Sequence, residues 1–397
     1  MGTSACIRKA PNARRPPRGR EPTRGRGATS VLLVGALGFA ALSGCSGDNE
    51  HPAGQRGATE SAAPGSSRFT VAGTGDFLLH EPVTKQAAAD ARARDKKGFD
   101  FTPMLAQLKP YIGKADLGVC HVETPLAPPS GPFEGYPMFS SPPQIADAIR
   151  GVGYDTCSTA SNHSLDQGEP GVRRTIDDLN RVDLRHAGTA RSPEEAKQIN
   201  LMTVKGVKVA QLSYTYGTNG ISAPGGKTWL VNTPINPDRV LSDAARAKQA
   251  GAEVVILSLH WGTEYQHAAT PEQRRLARTL LASNNVDLII GCHAHVVQPF
   301  EQINGKWVVY GMGNQVANPT ANEQTTHEGL IAWLTFSRDA QKRWRAQPAF
   351  VPTLVTAGPP IRLRTLGKNS GNQATVDRTT KVVRSLGFNV PIASPPK

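Results

Sequence analysis

The sequence predicts an α/β fold in which sheets pack face to face with helices outside. Two observations lead there. From Phe69 onward, short β-branched runs alternate with helix-like segments. Beyond residue 200 the pattern shifts towards hairpins and longer strands, which need a partner sheet to bury one face. The chain is long enough for one large domain, and 39 Gly with 31 Pro among 397 residues suit a loop-rich protein of this class.

Taken in order, "FTVAGTGDFLL" reads as a strand ending in a Gly-Asp turn. "PMLAQLKPYIGKA" reads as a helix up to its Pro, and "DLGVCHVE" as the next strand. "SPPQIADAIRGVG" has a Ser/Pro start and a Gly stop and is a helix; "YDTCSTAS" is a strand. "EPGVRRTIDDLNRVD" carries Pro in a first helical turn and leads to the strand "LRHAGTA". The run "INLMTVKGVKVAQLSYTY" predicts a hairpin turning at Lys205-Gly206. Helices over "DRVLSDAARAKQAG" and "TPEQRRLARTLLASNN" lead into the strands "EVVILSLHWG" and "VDLIIGCHAHVV". Mainly strands follow, with an Asn-Gly turn at 304–305, then a short helix at "RTTKVVRSLGF" and a Pro-rich tail. One domain over 69–370, with 371–397 as helix and tail, is the expected organisation.

The first 44 residues read as a processing signal: eight basic residues against one acid, then an apolar stretch too short and Gly-rich to span a bilayer comfortably. Leu42-Ser43-Gly44-Cys45 resembles a bacterial lipobox, with Cys45 the acylated residue; an ordinary secretory signal or an uncleaved anchor is the alternative. Residues 45–68 have little to bury and read as a tether. An extracytoplasmic, lipid-anchored protein at the bacterial cell membrane is expected. More than half of the net charge of +13 sits in the leader, and the remainder forms no dense basic block with interleaved aromatics, so no nucleic-acid partner is expected. Cys120, Cys157 and Cys292 lie in or beside apolar runs without CxxC spacing, so buried thiols are expected.

The polar residues at strand ends carry the chemistry. In open α/β sheets reactive groups gather at the carboxyl ends of strands. Here those ends supply Asp76, with His80 close behind, then His121 and Glu123, Asn162-His163, His260, and His293 with His295. A lone His after a strand is usually structural. Five of the ten His in this arrangement, beside acids, indicate a metal site. Carboxylate, amide and imidazole donors without thiolate suit Mn, Fe or Zn ions, and two ions with a bridging carboxylate need about this many ligands.

The order "GTGDFLLH", "CHVETPL", "SNHSLDQGEPG", "HWGTEYQ", "GCHAHVVQPFE", "GMGNQ" resembles the CapA family of poly-γ-glutamate capsule synthesis proteins, within the calcineurin-like metallophosphatase superfamily. The resemblance runs from about Phe69 to Asn318. It implies a four-layer α/β/β/α sandwich of metallophosphatase type and a pair of divalent metal ions. Asp76 and His295 would hold one, Asn162, His260 and His293 the other, and Glu123 would bridge. His163, oriented by Asp166, would be the general acid. His80, His121, Glu264 and Asn314 are further candidates for ligands or for groups that support them. Trp261 reads as a wall, and for Glu264 and Tyr265 packing is the alternative to function.

The sequence departs from the family pattern at Phe77-Leu78, where a His two residues after the Asp is usual. It departs again at His121, in place of Asn, and at Ala294, in place of Pro. The resemblance implies a binuclear hydrolase of the phosphoester class, linked to capsule or poly-γ-glutamate synthesis or export. The alternative is a non-catalytic assembly module that holds a polyanion. Anionic polymer or phosphoester, the membrane, and other capsule synthesis proteins would be its partners.

Overall fold

The computed structural model describes residues 68–318, 324–367 and 370–394. The leader, Cys45 and the tether up to residue 67 lie outside the described residues.

The expected parallel strands form and lie side by side. Strands β1 (Arg68–Phe77), β2 (Leu117–Val122), β3 (Thr156–Ser158) and β4 (Arg185–Ala187) run parallel in that order. On the other flank of β1 lie β12 (Glu328–Arg338), β13 (Trp344–Val355) and β14 (Leu363–Thr365), all antiparallel to their neighbours, while β11 (Asn314–Val316) pairs with the end of β1. The second sheet has the order β5-β6-β7-β8-β10-β9. Its members are β5 (Asn200–Val204), β6 (Val207–Thr215), β7 (Val254–His260), β8 (Leu288–Cys292), β9 (Phe300–Ile303) and β10 (Lys306–Val309).

Both predicted turns close hairpins for a backbone reason. Lys205 and Gly206 have φ of 47° and 80°, Asn304 and Gly305 of 53° and 71°, the left-handed pair that matches strand twist. The helices begin and end where their punctuation says. Asn236 accepts from two backbone N–H groups at the start of α6 (Pro237–Gln249), and Thr270 and Gln273 form a capping box on α7 (Pro271–Ala282). Gly153, at φ 109°, terminates α4 (Gln144–Val152).

Alternation along the strands sorts side chains into layers. Val71, Val119, Ile256 and Ile290 meet between the two sheets. Ala72, Cys120 and Val122 face the other way, against Ile149 of α4 and Leu179 of α5 (Gly168–Arg181). On the far side of the second sheet, Leu257 and Ile289 pack on Val240 and Leu280. The result is the α/β/β/α sandwich.

Four details differ from the sequence reading. A helix α1 (Glu81–Ala93) follows β1, in a stretch with no assigned element. The helix expected to stop at Pro110 instead goes on past it in pieces: α2 (Thr102–Leu105) passes through a 3-10 turn into α3 (Lys109–Ile112), where Pro110, lacking the N–H that would continue the ladder, stands in a new first turn. Cys120 and Cys157 are bonded as a disulfide rather than held as thiols; they are direct partners on adjacent strands with Cα atoms 4.4 Å apart, and Cys292 alone of the three is free. Finally, packing continues past residue 370. Val383, at the end of α8 (Gln373–Val383), and Val390 are buried in the layer between the sheets.

Candidate metal centre

The parallel strands of both sheets deliver their carboxyl ends to one place. A bulge makes this possible on β1: Ala72 and Phe77, five positions apart, both face the outer helices, because the register with β2 shifts between Gly73 and Asp76. Asp76 is thereby aimed at the second sheet. Gly75 is required there, since a Cβ would lie 1.8 Å from the Gly313 carbonyl oxygen. On β2 no bulge is needed. His121 and Glu123 follow Leu117 and Val119 towards the second sheet at the strand's natural period of two.

The six residues expected to bind metal converge, and all are buried. Asp76, Glu123 and His295 offer donor atoms within 4.8 Å of one another, as do Asp76, His121 and His260, and Glu264, His293 and His295. Asn162 Oδ1 lies 2.9 Å from His260 Nε2. Two donors on one ion at about 2.1 Å, about 90° apart, are separated by about 3 Å. His295 Nδ1 donates to Asn314 Oδ1 at 3.0 Å, and Asn314 Nδ2 donates to the Thr326 carbonyl, so His295 Nε2 faces Glu123, 3.8 Å away. His293 adopts φ 93° and gives its backbone N–H to Asp76 Oδ1 at 3.2 Å.

Electrostatics fit a cation. Both carboxylate oxygens of Glu123 are buried without a hydrogen-bond partner, as are His121 Nε2, His260 Nδ1 and His293 Nδ1. So many unsatisfied groups in one spot is rare in a folded protein. Burial, reinforced by Asp76 and Glu264, pushes Glu123 well above the ordinary carboxyl range. Burial also keeps His121 down at about 4, His293 at about 3 and His260 well below the usual value, so these rings are neutral with lone pairs available. For His295 burial opposes the charge, but Glu123 and Asp76 outweigh it and raise the ring to about 10. The same His295 hydrogen bond and charge offset burial at Asp76 and hold its carboxyl low.

The loop after β3 supplies the rest. His163 Nδ1 lies 2.7 Å from Asp166 Oδ2, which also accepts the Phe139 N–H, and the Phe139 ring meets His163 edge-on at 4.8 Å. Ser161 Oγ donates to the Glu123 carbonyl and accepts the His163 N–H, tying the loop to the end of β2.

His80 does not join any of these donor groups. It sits at the start of α1, accepts the Asn318 N–H at 3.4 Å and packs against Phe139, because the chain turns away into the helix after Leu79. Trp261 is buried and donates to the Tyr310 carbonyl, a wall as expected. Tyr265 is 45% exposed beside His295. Two residues at the site were not singled out in the sequence. The Tyr216 ring lies 4.6 Å from that of His293, and Asn219 Oδ1 accepts from Asn162 Nδ2. Their position straight after β6 is the signal that would have found them.

Two facing sheets whose parallel strand ends bring carboxylate, amide and imidazole donors together make an α/β/β/α sandwich with a candidate metal centre at those strand ends. A calcineurin-like phosphoesterase from Bacillus subtilis is similar over 79% of this chain and 96% of its own, at 15% identity and a TM-score of 0.43. The chain itself belongs to the bacterial capsule synthesis protein family PGA_cap, which matches residues 70–319. It is 30% identical over 180 residues to the capsule biosynthesis protein CapA of Bacillus anthracis, covering 45% of this chain and 43% of that one. It is also 30% identical over 169 residues to the PGA biosynthesis protein CapA of Bacillus subtilis, covering 42% and 44%. The matched region thus spans less than half the length of these curated relatives.

Proposed function

We propose that this chain is a metal-dependent hydrolase of the phosphoester class that acts in capsule or poly-γ-glutamate synthesis or export, held outside the cytoplasm by a lipid on Cys45. The observation that carries the reading is the Glu123 carboxylate, buried with both oxygens unpartnered among imidazoles from the opposite sheet. The two CapA relatives support the polymer context.

Asp76 and His295 would hold one ion, Asn162, His260 and His293 the second, with Glu123 between them. Divalent ions there would supply Lewis acidity and lower the pKa of water. The protein's own part is to hold and move protons. Asp166 keeps the Nδ1 proton of His163 in place, leaving Nε2 to exchange a proton with the leaving group. Tyr216 and Tyr265, each more than 40% exposed, border the donors and would position the substrate.

The test is metal analysis of the purified chain and of His293→Ala, with bis-p-nitrophenyl phosphate turnover followed in both. About two ions per chain with turnover, both reduced in the variant, support the hydrolase. A chain that stays metal-free and inactive after Mn, Fe or Zn is supplied overturns it and favours a non-catalytic, polyanion-holding assembly module. Anchoring is tested separately: Cys45→Ala moves the chain from the membrane fraction to the soluble one.

A further inference from the structure

We infer that His121 is itself a metal ligand, binding through Nε2 beside Asp76 and completing the donor set on the first sheet's side of the centre. This rests on the reading of the site as one that binds divalent ions.

Three observations place the lone pair. Ser158 Oγ donates its single proton to the Cys120 carbonyl at 3.2 Å. His121 Nδ1 lies 2.8 Å from Ser158 Oγ, so with the hydroxyl proton on the carbonyl it is the ring that donates to Ser158, through Nδ1–H. Nε2 is left as the unprotonated nitrogen. That atom is buried, has no hydrogen-bond partner, and lies 3.8 Å from Asp76 Oδ1.

The spacing suits an ion and does not suit a hydrogen bond. An ion at about 2.1 Å from each of two donors can be shared by atoms up to about 4.2 Å apart, whereas a hydrogen bond needs about 3 Å. The His260 ring, from the second sheet, is 4.9 Å from the His121 ring and belongs to the same donor group. Ser158 then has the role usual around metal-bound imidazoles: its hydroxyl fixes the tautomer and the ring plane. Residue 78, two after Asp76, is Leu and packs with Phe139 and Ala317, so no imidazole stands beside Asp76 from that strand, and the neighbouring strand supplies one.

The experiment compares the full chain with His121→Ala, His121→Gln and Ser158→Ala, each equilibrated with Zn²⁺ at fixed free concentrations and, separately, with Co²⁺. Wild type is expected to hold about two ions. Both His121 variants should lose one, and their cobalt absorption bands should shift as an imidazole is replaced. Ser158→Ala should weaken the same ion about tenfold to a hundredfold while keeping its cobalt spectrum imidazole-like. His121 variants that keep two ions at wild-type affinity, with unchanged cobalt bands, overturn the assignment. A wild type that binds neither metal overturns the hydrolase reading and this one together. His121→Gln keeps most of the side-chain volume and decides the matter if His121→Ala fails to fold.

Discussion

His163 and Asp166 lie three residues apart in one loop, and their 2.7 Å contact makes them a separable unit beside the metal donors. His163→Asn is expected to lower phosphodiester turnover about 10²- to 10⁴-fold while leaving metal content at the wild-type level. Metal analysis and steady-state kinetics on the same preparation check both halves. The residues that converge were legible because carboxylates and imidazoles are seldom placed at the buried ends of strands without a reason. Tyr216 and Asn219 were marked only by following β6, since a Tyr or an Asn in a Gly-containing loop has no distinctive chemistry until the fold sets it against His293 and Asn162. The pairing of Cys120 with Cys157 was equally out of reach, as it depends on β2 and β3 being in register. Denatured without reductant, one of Cys120, Cys157 and Cys292 should react with a thiol reagent, and all three after reduction.

At the scale of the element, the most constrained feature is the bulge on β1. Gly75→Ala would drive a methyl into the Gly313 carbonyl and should cost about 3 kcal/mol or more, measured by denaturant unfolding. The connection between α1 and α2 gives a pH-dependent prediction. Asp100 accepts the Thr102 N–H and ion-pairs with Arg94 and Lys96, each at 2.8 Å. Burial works against its ionisation, but Lys96 and Thr102 outweigh that and bring the carboxyl to about 2. A depressed carboxyl stabilises the fold above its unfolded pKa, 3.8, and the contribution is lost as pH falls from about 4 to about 2. Because Arg94 and Lys96 are half-exposed, Asp100→Asn should cost about 1 kcal/mol at neutral pH, a difference that disappears near pH 2. The strands and most helices were readable from period and punctuation. Helix α1, with Pro82 in its first turn and a run of Ala, carried readable signals too; the break at Pro110 needed the surrounding packing to show which side of the proline would fold as helix.

At the scale of the molecule, the candidate metal donors are divided between the two sheets: Asp76, Glu123 and Asn162 from one, His260, His293 and His295 from the other. Ions bound there would therefore act as a clamp between the layers. At a hundredfold excess over Kd each ion should add about 3 kcal/mol, so chelation should lower Tm by several degrees in calorimetry and re-addition should restore it.

The central position of β1 has a consequence for how the chain is made. Its residues 68–74 pair with residues 331–337, and the interior is sealed by Val383 and Val390. β1 thus has its second neighbour only when residues 331–337 exist, and its buried face is sealed only when Val383 and Val390 do, a long-range topology that folds slowly. Until residues 331–337 exist, one edge of β1 stays open to solvent, and the sandwich closes over its candidate metal centre only when nearly the whole chain is available.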